Sequence, residues 1–183
     1  MSACCLVSWA LDLAATTGGR DLLDGPPALG RWLADRGVED PALALRLSDF
    51  HELRSSVRAL LEAEVAGRSL PEDAVGAVNA ASAAAPIHAG LVVGGGTVVL
   101  AQLTTAPPAA AVLAAIARSA IQLLGGPDRD RLRACPSCGR FFLAARPHQV
   151  WCTSACGNRV RVARHHERRR AAGRFGRPPT LPT

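Results

Sequence analysis

The stretch Cys135-Pro-Ser-Cys138, followed after thirteen residues by Cys152-Thr-Ser-Ala-Cys156, holds four of the six cysteines of this chain. The spacing is C-x2-C-x13-C-x3-C, which gives two close pairs of thiols. A tetrahedral zinc ion takes two ligands from one tight turn and two from a second element brought alongside it. We therefore predict that these four cysteines bind one structural Zn²⁺ ion per chain.

The residues around the two pairs predict a small module built on this site. Gly139 allows a sharp backbone turn that points amides at the sulfurs, and Phe141–Leu143 reads as a short strand. Gly157–Arg170 is compatible with a helix whose positive end would stabilise the Cys156 thiolate. A treble-clef-like module of about 45 residues is too small to fold on apolar burial alone. Zinc binding, on the order of 10–16 kcal/mol, would decide whether it folds.

Other chemistries use similar cysteine patterns. Cys-Pro-x-Cys also occurs in thiol–disulfide oxidoreductases, but here a second pair stands at zinc spacing. An iron–sulfur cluster with four cysteine ligands stays an alternative. Three histidines are spare donors, although four cysteines already complete the shell: His148, His165 and His166. A complete shell of four cysteine ligands leaves no open coordination position, which argues against a catalytic zinc.

The first 127 residues are predicted to form a mainly helical domain with a small antiparallel hairpin, so the fold class is α+β. The hairpin is predicted from the β-branched runs Ile87–Val93 and Thr97–Leu103, which flank a glycine turn. A long helix is expected after Asp40-Pro41, ending at Gly67. Ser69-x-x-Glu72 is a capping-box pattern that predicts the start of the next helix. We predict domains at 1–127 and 128–173 and a flexible tail at 174–183.

The isolated residues of the first domain carry no chemical motif. His51 and His88 have no cluster of ligands around them in sequence, and a lone histidine is usually satisfied or at the surface. Cys4 and Cys5 are interpreted as small apolar side chains, because a disulfide between neighbours is strained.

Composition and charge indicate the kind of partner and the cell compartment. The 21 basic residues are all arginine, against 15 acidic ones. Residues 1–128 hold 8 arginines and 13 acidic residues, whereas residues 129–183 hold 13 arginines and 2 acidic residues. This asymmetry indicates an anionic partner for the C-terminal part. No signal peptide or membrane-spanning run is recognised, so we expect a cytoplasmic protein with reduced or metal-bound cysteines.

The run from Trp151 to Arg170 contains Cys156-Gly-Asn-Arg159 and resembles the CGNR zinc finger, which is named for those four residues. In that family the finger follows an N-terminal ABATE domain, a stress-induced transcription regulator. Upstream, Trp9-Ala-Leu-Asp-Leu13 is similar to the opening Leu-Asp-Phe pattern of the family. Leu29-x-x-Trp32-Leu33 is similar to its next helix, and Val78-Asn79 to its later Leu-Asn. The resemblance implies a zinc-stabilised regulator of transcription.

The chain departs from the family pattern in one segment. Ala144–Val150, before the third cysteine, has one arginine and no aspartate, whereas the family segment is longer and arginine-rich. The last cysteine pair is also one residue closer than usual. Zinc binding should survive, because the x3 spacing still reaches a single metal.

The helix after Cys156 is the predicted nucleic-acid-binding element. Its candidate contacts are Arg159, Arg161, Arg164, His165, Arg168, Arg169 and Arg170. Like charges at i, i+3 and i+4 repel, and only Glu167 opposes them, so an anionic partner would remove the cost. Guanidinium groups fit phosphate oxygens and the guanine edge, which favours double-stranded DNA. Val160, Ala163 and Val162 are left to pack on the finger.

Three alternatives remain at this stage. An RNA- or ribosome-associated module could use the same kind of finger and helix. An enzyme or small-molecule-binding domain could occupy the N-terminal part, although no catalytic motif supports an enzyme. The N-terminal domain is expected either to sense a small-molecule effector or to form a homodimer.

Overall fold

The computed structural model describes residues 3–18 and 20–174, and the side chains of residues 9–18 and 20–170. Its helices are α1 (Ala3–Ala14), α2 (Pro26–Ala34), α3 (Leu47–Val65), α4 (Glu72–Ala83), α5 (Pro108–Gly125) and α6 (Ser154–Arg174). Its strands are β1 (His88–Gly94), β2 (Thr97–Leu103), β3 (Leu132–Ala134) and β4 (Phe141–Leu143). Short 3-10 helices cover Pro41–Arg46 and Arg129–Arg131. The fold is α+β, as predicted, and the side chains of Cys4 and Cys5 and the tail beyond Arg174 lie outside the described residues.

Helices α1 to α5 form the helical body of the molecule, which is built around α5. Helices α1 and α4 pack against α5, and α3 packs against α1, α4 and α5. The core is apolar and contains the fully buried Leu13, Phe50, Val57, Ile116 and Leu123. These residues fall at the helical spacing that the sequence indicates.

Helix α5 is, by length and composition alone, apolar enough to cross a membrane. The expectation that no such run exists is wrong in this respect, because Arg118 is a single charge in an otherwise apolar helix. Within the body α5 is the core helix: Ile116, Ala120 and Leu123 are buried. Arg118 donates a hydrogen bond from Nη1 to the carbonyl of Ala85 over 3.0 Å, which satisfies its charge at the edge of the core.

Two predicted helix starts differ from the structure. The segment after Asp40 begins as a 3-10 helix, capped by the Asp40 carboxylate, and becomes α-helical only at Leu47. The capping box at Ser69 does not form, because α4 begins at Glu72 with Pro71 in the N-cap position and without a side-chain cap. Ser69 therefore lies too far upstream to cap the first turn.

The β1–β2 hairpin confirms the prediction from the glycine turn. Gly95 and Gly96 have φ of +57° and +77°, which only glycine adopts without strain. Leu91 pairs with Leu100, and Val93 with Val98, so these four side chains share one face of the ribbon. That face is exposed to solvent, with Leu91 and Leu100 more than 70 % accessible.

The shorter β3–β4 hairpin connects the C-terminal module to the body. Leu132 and Phe141 are buried in the same apolar cluster as the helices. The Arg58 guanidinium lies 5.4 Å from the centre of the Phe141 ring, and Arg129 Nε donates to Glu64 Oε1 over 2.7 Å. The module is therefore docked on the body through its strands.

A buried ion pair also ties the body together. Arg54, whose side chain is 8 % exposed, donates two hydrogen bonds of 2.7 Å to the carboxylate of Asp21. Arg54 also donates to Thr16 Oγ1 over 3.0 Å. The Arg54 hydrogen bond lowers the pKa of Asp21 to about 2. No short-range pattern predicts this pair, because 33 residues separate its partners.

Candidate zinc centre and nucleic-acid interface

The four predicted zinc ligands come together in space. The sulfur atoms of Cys135, Cys138, Cys152 and Cys156 all lie within 4.8 Å of one another. Cys138 Sγ and Cys152 Sγ are 3.6 Å apart, as are Cys152 Sγ and Cys156 Sγ. A Zn–S bond of about 2.3 Å in a tetrahedron sets sulfur atoms about 3.8 Å apart. The spacing of the sulfurs therefore fits a structural zinc ion bound by four thiolates.

The first pair lies in a tight turn that Gly139 makes possible. Gly139 has φ of +70°, and its N–H donates to the carbonyl of Cys135 over 2.8 Å. The N–H of Cys135 in turn donates to the carbonyl of Arg140 over 2.9 Å. Burial disfavours the Cys135 thiolate, but amides of Cys152, Ser137 and Cys138 donate to its sulfur. The net effect is a pKa of the Cys135 thiol lowered to about 6.

The second pair lies at the start of α6. Thr153 Oγ1 accepts a hydrogen bond from the N–H of Cys156 over 3.3 Å, as an N-cap residue does. The Thr153 hydroxyl also lowers the pKa of Cys156. Burial and hydrogen bonds with the neighbouring sulfurs raise the pKa of Cys152 to about 12. Four thiolates thus need a nearby positive charge, which Zn²⁺ supplies when bound.

The histidines take no part in this cluster. Within the described residues the four cysteines form the grouped donor set, and His148, His165 and His166 lie outside it. His51 is satisfied elsewhere, since its Nε2 lies 2.9 Å from the carbonyl of Leu23. His88 is exposed on β1. Four cysteines of the finger therefore account for a complete tetrahedral ligand set.

Two residues of the Cys-Gly-Asn-Arg run have roles that sequence reasoning missed. Gly157 is buried against the Trp151 ring, and a Cβ at Gly157 would lie 3.0 Å from Trp151 Cδ1. Glycine therefore allows close packing here, because a larger residue would require the Trp151 ring to shift. Asn158 is not a helix cap, because α6 has already begun at Ser154. Its Oδ1 accepts a hydrogen bond from Arg161 Nη1 over 2.6 Å.

The basic helix extends well beyond the two cysteine turns. All seven predicted nucleic-acid contacts are exposed: Arg159, Arg161, Arg164, His165, Arg168, Arg169 and Arg170. Val160 is half-buried, but Val162 and Ala163 are exposed, so the expectation that they pack on the finger is wrong. The reason is geometric, since the finger ends near the first turns of α6. The remaining turns project into solvent.

Comparison with known families supports the sequence resemblance. The ABATE family model, described as "Putative stress-induced transcription regulator", matches residues 8–127. The CGNR zinc finger model matches residues 131–169, a span that includes all four cysteines and most of α6. A search among curated proteins found no match. The chain belongs to the ABATE family and carries a CGNR zinc finger with a structural zinc site directly behind the ABATE domain.

Proposed function

We propose that this chain regulates transcription by binding double-stranded DNA through α6. The observation that carries the proposal is the isolation of the positive charge. Between Arg159 and Arg170 six arginines are exposed, and Glu167 is the single acidic residue in that span. Within the described residues, none of these arginines forms an ion pair with a carboxylate. Repulsion between these arginines destabilises the helix, and bound phosphates would remove that repulsion.

The chemistry of the side chains favours a nucleic acid as the anion. Arg161, Arg164 and Arg168 lie at i, i+3 and i+7, so they share one face of α6. Guanidinium groups donate two parallel hydrogen bonds to a phosphate or to the O6 and N7 atoms of guanine. An α-helix fits the width of the DNA major groove. Zinc would lie at a distance from this surface. Its role would be to hold the start of α6 against the turn that contains Cys135 and Cys138.

Salt dependence of binding tests the proposal. If α6 neutralises four to six phosphates, log K for duplex DNA falls with log salt at a slope of about −4 to −5. We would measure this by fluorescence anisotropy on the zinc-loaded full chain, with Arg20→Gln as a control that removes an exposed charge from the body. A flat salt dependence contradicts the proposal. Preferential binding of duplex RNA over duplex DNA would favour an RNA- or ribosome-associated function instead.

A second copy of the chain is our proposal for the partner of the β1–β2 hairpin. Residues 87–103 contain no charged side chain, and Leu91, Val93, Val98 and Leu100 form an exposed apolar face. A twofold interface places each patch against its own copy, so an uncharged patch avoids self-repulsion. A two-stranded ribbon is also marginal until another element covers it. A dimer would present two α6 helices to two DNA half-sites.

The oligomeric state tests this second point. Sedimentation at tens of micromolar chain should show a dimer for the natural sequence and a monomer for Leu91→Asp combined with Leu100→Asp. Thr97→Asp, at the end of the ribbon, serves as the control and should remain dimeric. A monomeric natural chain, or one that floats with lipid vesicles through this face, contradicts the proposal.

We further propose a binding role in the cytoplasm rather than a catalytic one. Reduced thiols, as zinc binding by cysteine requires, are the rule in that compartment. The acidic residues Asp12, Asp21 and Asp128 are each paired with an arginine, which leaves them poorly suited as general bases. Turnover of any substrate by the metal-loaded chain would contradict this.

A further inference from the structure

An open cleft lies where the finger meets the helical body. It has a volume of about 1000 Å³ and is bounded by α1, by the end of α5 and by β4. Apolar side chains from all three elements line it, including Leu11, Ile121 and Phe142. The volume matches that of sites which take organic molecules of moderate size.

Two acidic and two basic residues line the cleft, but they differ in whether they have a charged partner. Asp12 pairs with Arg36 at 3.4 Å, and Asp128 pairs with Arg131 at 2.5 Å. The remaining charged residue of the lining is Arg140, which is exposed. Its guanidinium makes no hydrogen bond or ion pair with the described side chains. The cleft therefore offers an apolar wall and one available positive charge.

We propose that this cleft binds an amphipathic organic anion, an aromatic or aliphatic body that carries one carboxylate, sulfonate or phosphate. The body of the ligand contacts Leu11, Ile121 and Phe142, and its charged group pairs with Arg140. The charge sets the class of ligand, because a guanidinium beside an apolar wall favours a carboxylate or a related anion over a neutral molecule.

The position of Arg140 connects the cleft to the turn that contains Cys135 and Cys138. The carbonyl of Arg140 accepts the hydrogen bond from the N–H of Cys135, and Phe141, the next residue, is buried in the core of the body. A ligand that bridges α1, α5 and β4 adds contacts that exist only while the finger is docked. Binding therefore favours the docked finger. This consequence for regulation rests on the proposed DNA-binding function, whereas the binding site itself does not.

Two fluorescent probes that differ by one charge test the site. Anilinonaphthalene sulfonate carries a sulfonate, and N-phenylnaphthylamine is its neutral relative. We would titrate both into the zinc-loaded full chain without DNA, and compare Arg140→Gln with Arg146→Gln, a matched loss of an exposed arginine from the same finger. The expected result is saturable binding of both probes, with the affinity for the sulfonate about tenfold weaker in Arg140→Gln only.

Further controls assign the bound probe to the cleft. Ala15→Trp, which adds a large side chain to the lining, should weaken both probes, whereas Leu91→Asp in the hairpin should weaken neither. At a concentration that saturates the natural chain but not Arg140→Gln, the sulfonate probe should slow transfer of zinc to a chelator several-fold in the natural chain and much less in Arg140→Gln. Equal sulfonate affinity in Arg140→Gln and Arg146→Gln, or loss of binding in Leu91→Asp, would overturn the proposal. Because these titrations contain no DNA, their failure leaves the DNA-binding proposal intact, and the reverse also holds.

Discussion

The arginines of the helical body and those of α6 differ in what surrounds them. In the body, Arg54 binds the carboxylate of Asp21 through two hydrogen bonds, and Arg58 Nη2 donates to Glu62 over 2.7 Å. On α6 the described contacts of the guanidinium groups are local. Arg161 donates to Asn158, and Arg168 donates to the carbonyl of Arg164. One side-chain type thus serves as an internal cross-link in one region and as an available cation in the other.

The difference predicts that the arginines of the body contribute to stability and that those of α6 contribute to the proposed DNA binding. The body has acidic residues for its arginines, since residues 1–128 contain 13 of the 15 acidic side chains. The segment after them has too few acids to pair internally. Substituting an arginine in each region should therefore give opposite results, and the following four experiments test this from the largest expected effect to the smallest.

Loss of a zinc ligand should have the largest effect. Cys152→Ser removes one of four thiolates, and zinc sites of this kind contribute on the order of 10–16 kcal/mol to folding. We expect less than one zinc per chain by elemental analysis, rapid amide exchange across residues 131–160, and loss of DNA binding. The body should stay helical because its core is apolar. Cys4→Ser, which lies outside the ligand set, is the control, and a full zinc content in Cys152→Ser would contradict the assignment.

Loss of a body arginine should reduce stability and leave DNA binding unchanged. Arg54→Gln breaks a nearly buried pair, for which removal of one partner costs about 3–5 kcal/mol when burial is complete. Asp21 is partly exposed, so we expect a smaller value of about 2–3 kcal/mol. Urea unfolding measures the change. An unchanged free energy of unfolding, or a changed salt dependence of DNA binding, would remove the distinction between the two regions.

Loss of two α6 arginines should do the reverse. Arg164→Gln combined with Arg168→Gln should make the slope of log K against log salt shallower by about 2, because each phosphate contact contributes about 0.9. The free energy of unfolding should be unchanged or should rise by a few tenths of a kcal/mol, since a like-charge pair is removed. Anisotropy and urea unfolding measure the two quantities. A slope equal to that of Arg20→Gln would show that these arginines do not contact phosphates.

Acid should lower the free energy of unfolding by protonating Asp21. The pKa of Asp21 in the folded chain is about 2, below its ordinary value of 3.8. The ion pair therefore contributes stability above pH 4 and loses it as the pH falls from 4 to 2. Because Asp21 is 39 % exposed, solvent screening limits this contribution to about 1 kcal/mol. The difference in unfolding free energy between the natural chain and Asp21→Asn should shrink over this range, whereas a constant difference would contradict the linkage.

The local features of this molecule could be predicted from the sequence. The cysteine spacing fixed the metal site, because knuckle and helix start must each supply two sulfurs to one ion. The turn at Gly95 and Gly96 followed from glycine chemistry, and strands β1 and β2 followed from the β-branched runs on either side of it. Each of these signals acts over a few residues. Short-range chemistry is what a single sequence displays most clearly.

The long-range features could not be predicted. Nothing in the sequence brings Arg54 to Asp21, or buries Leu132 and Phe141 among the helices of the body. Ser69 matches the capping-box pattern, but Pro71 takes the N-cap position, so α4 begins two residues later than that pattern predicts. The contact between Gly157 and Trp151 depends on how the folded zinc finger places the Trp151 ring beside α6. A pattern in sequence lists the candidates, and tertiary packing selects among them.

In the proposed complex with DNA, the projecting length of α6 also limits how much of the duplex one chain can contact. Val160 is half-buried, and the side chains described after it, up to Arg170, are exposed. Fourteen residues of α6 follow Val160, and at about 1.5 Å per residue they make a rod of about 21 Å. The rise of duplex DNA is about 3.4 Å per base pair, so this rod spans about six base pairs. In the proposed complex, one chain alone therefore contacts a sequence too short to be rare in a genome, and a second half-site at fixed spacing would supply the missing specificity.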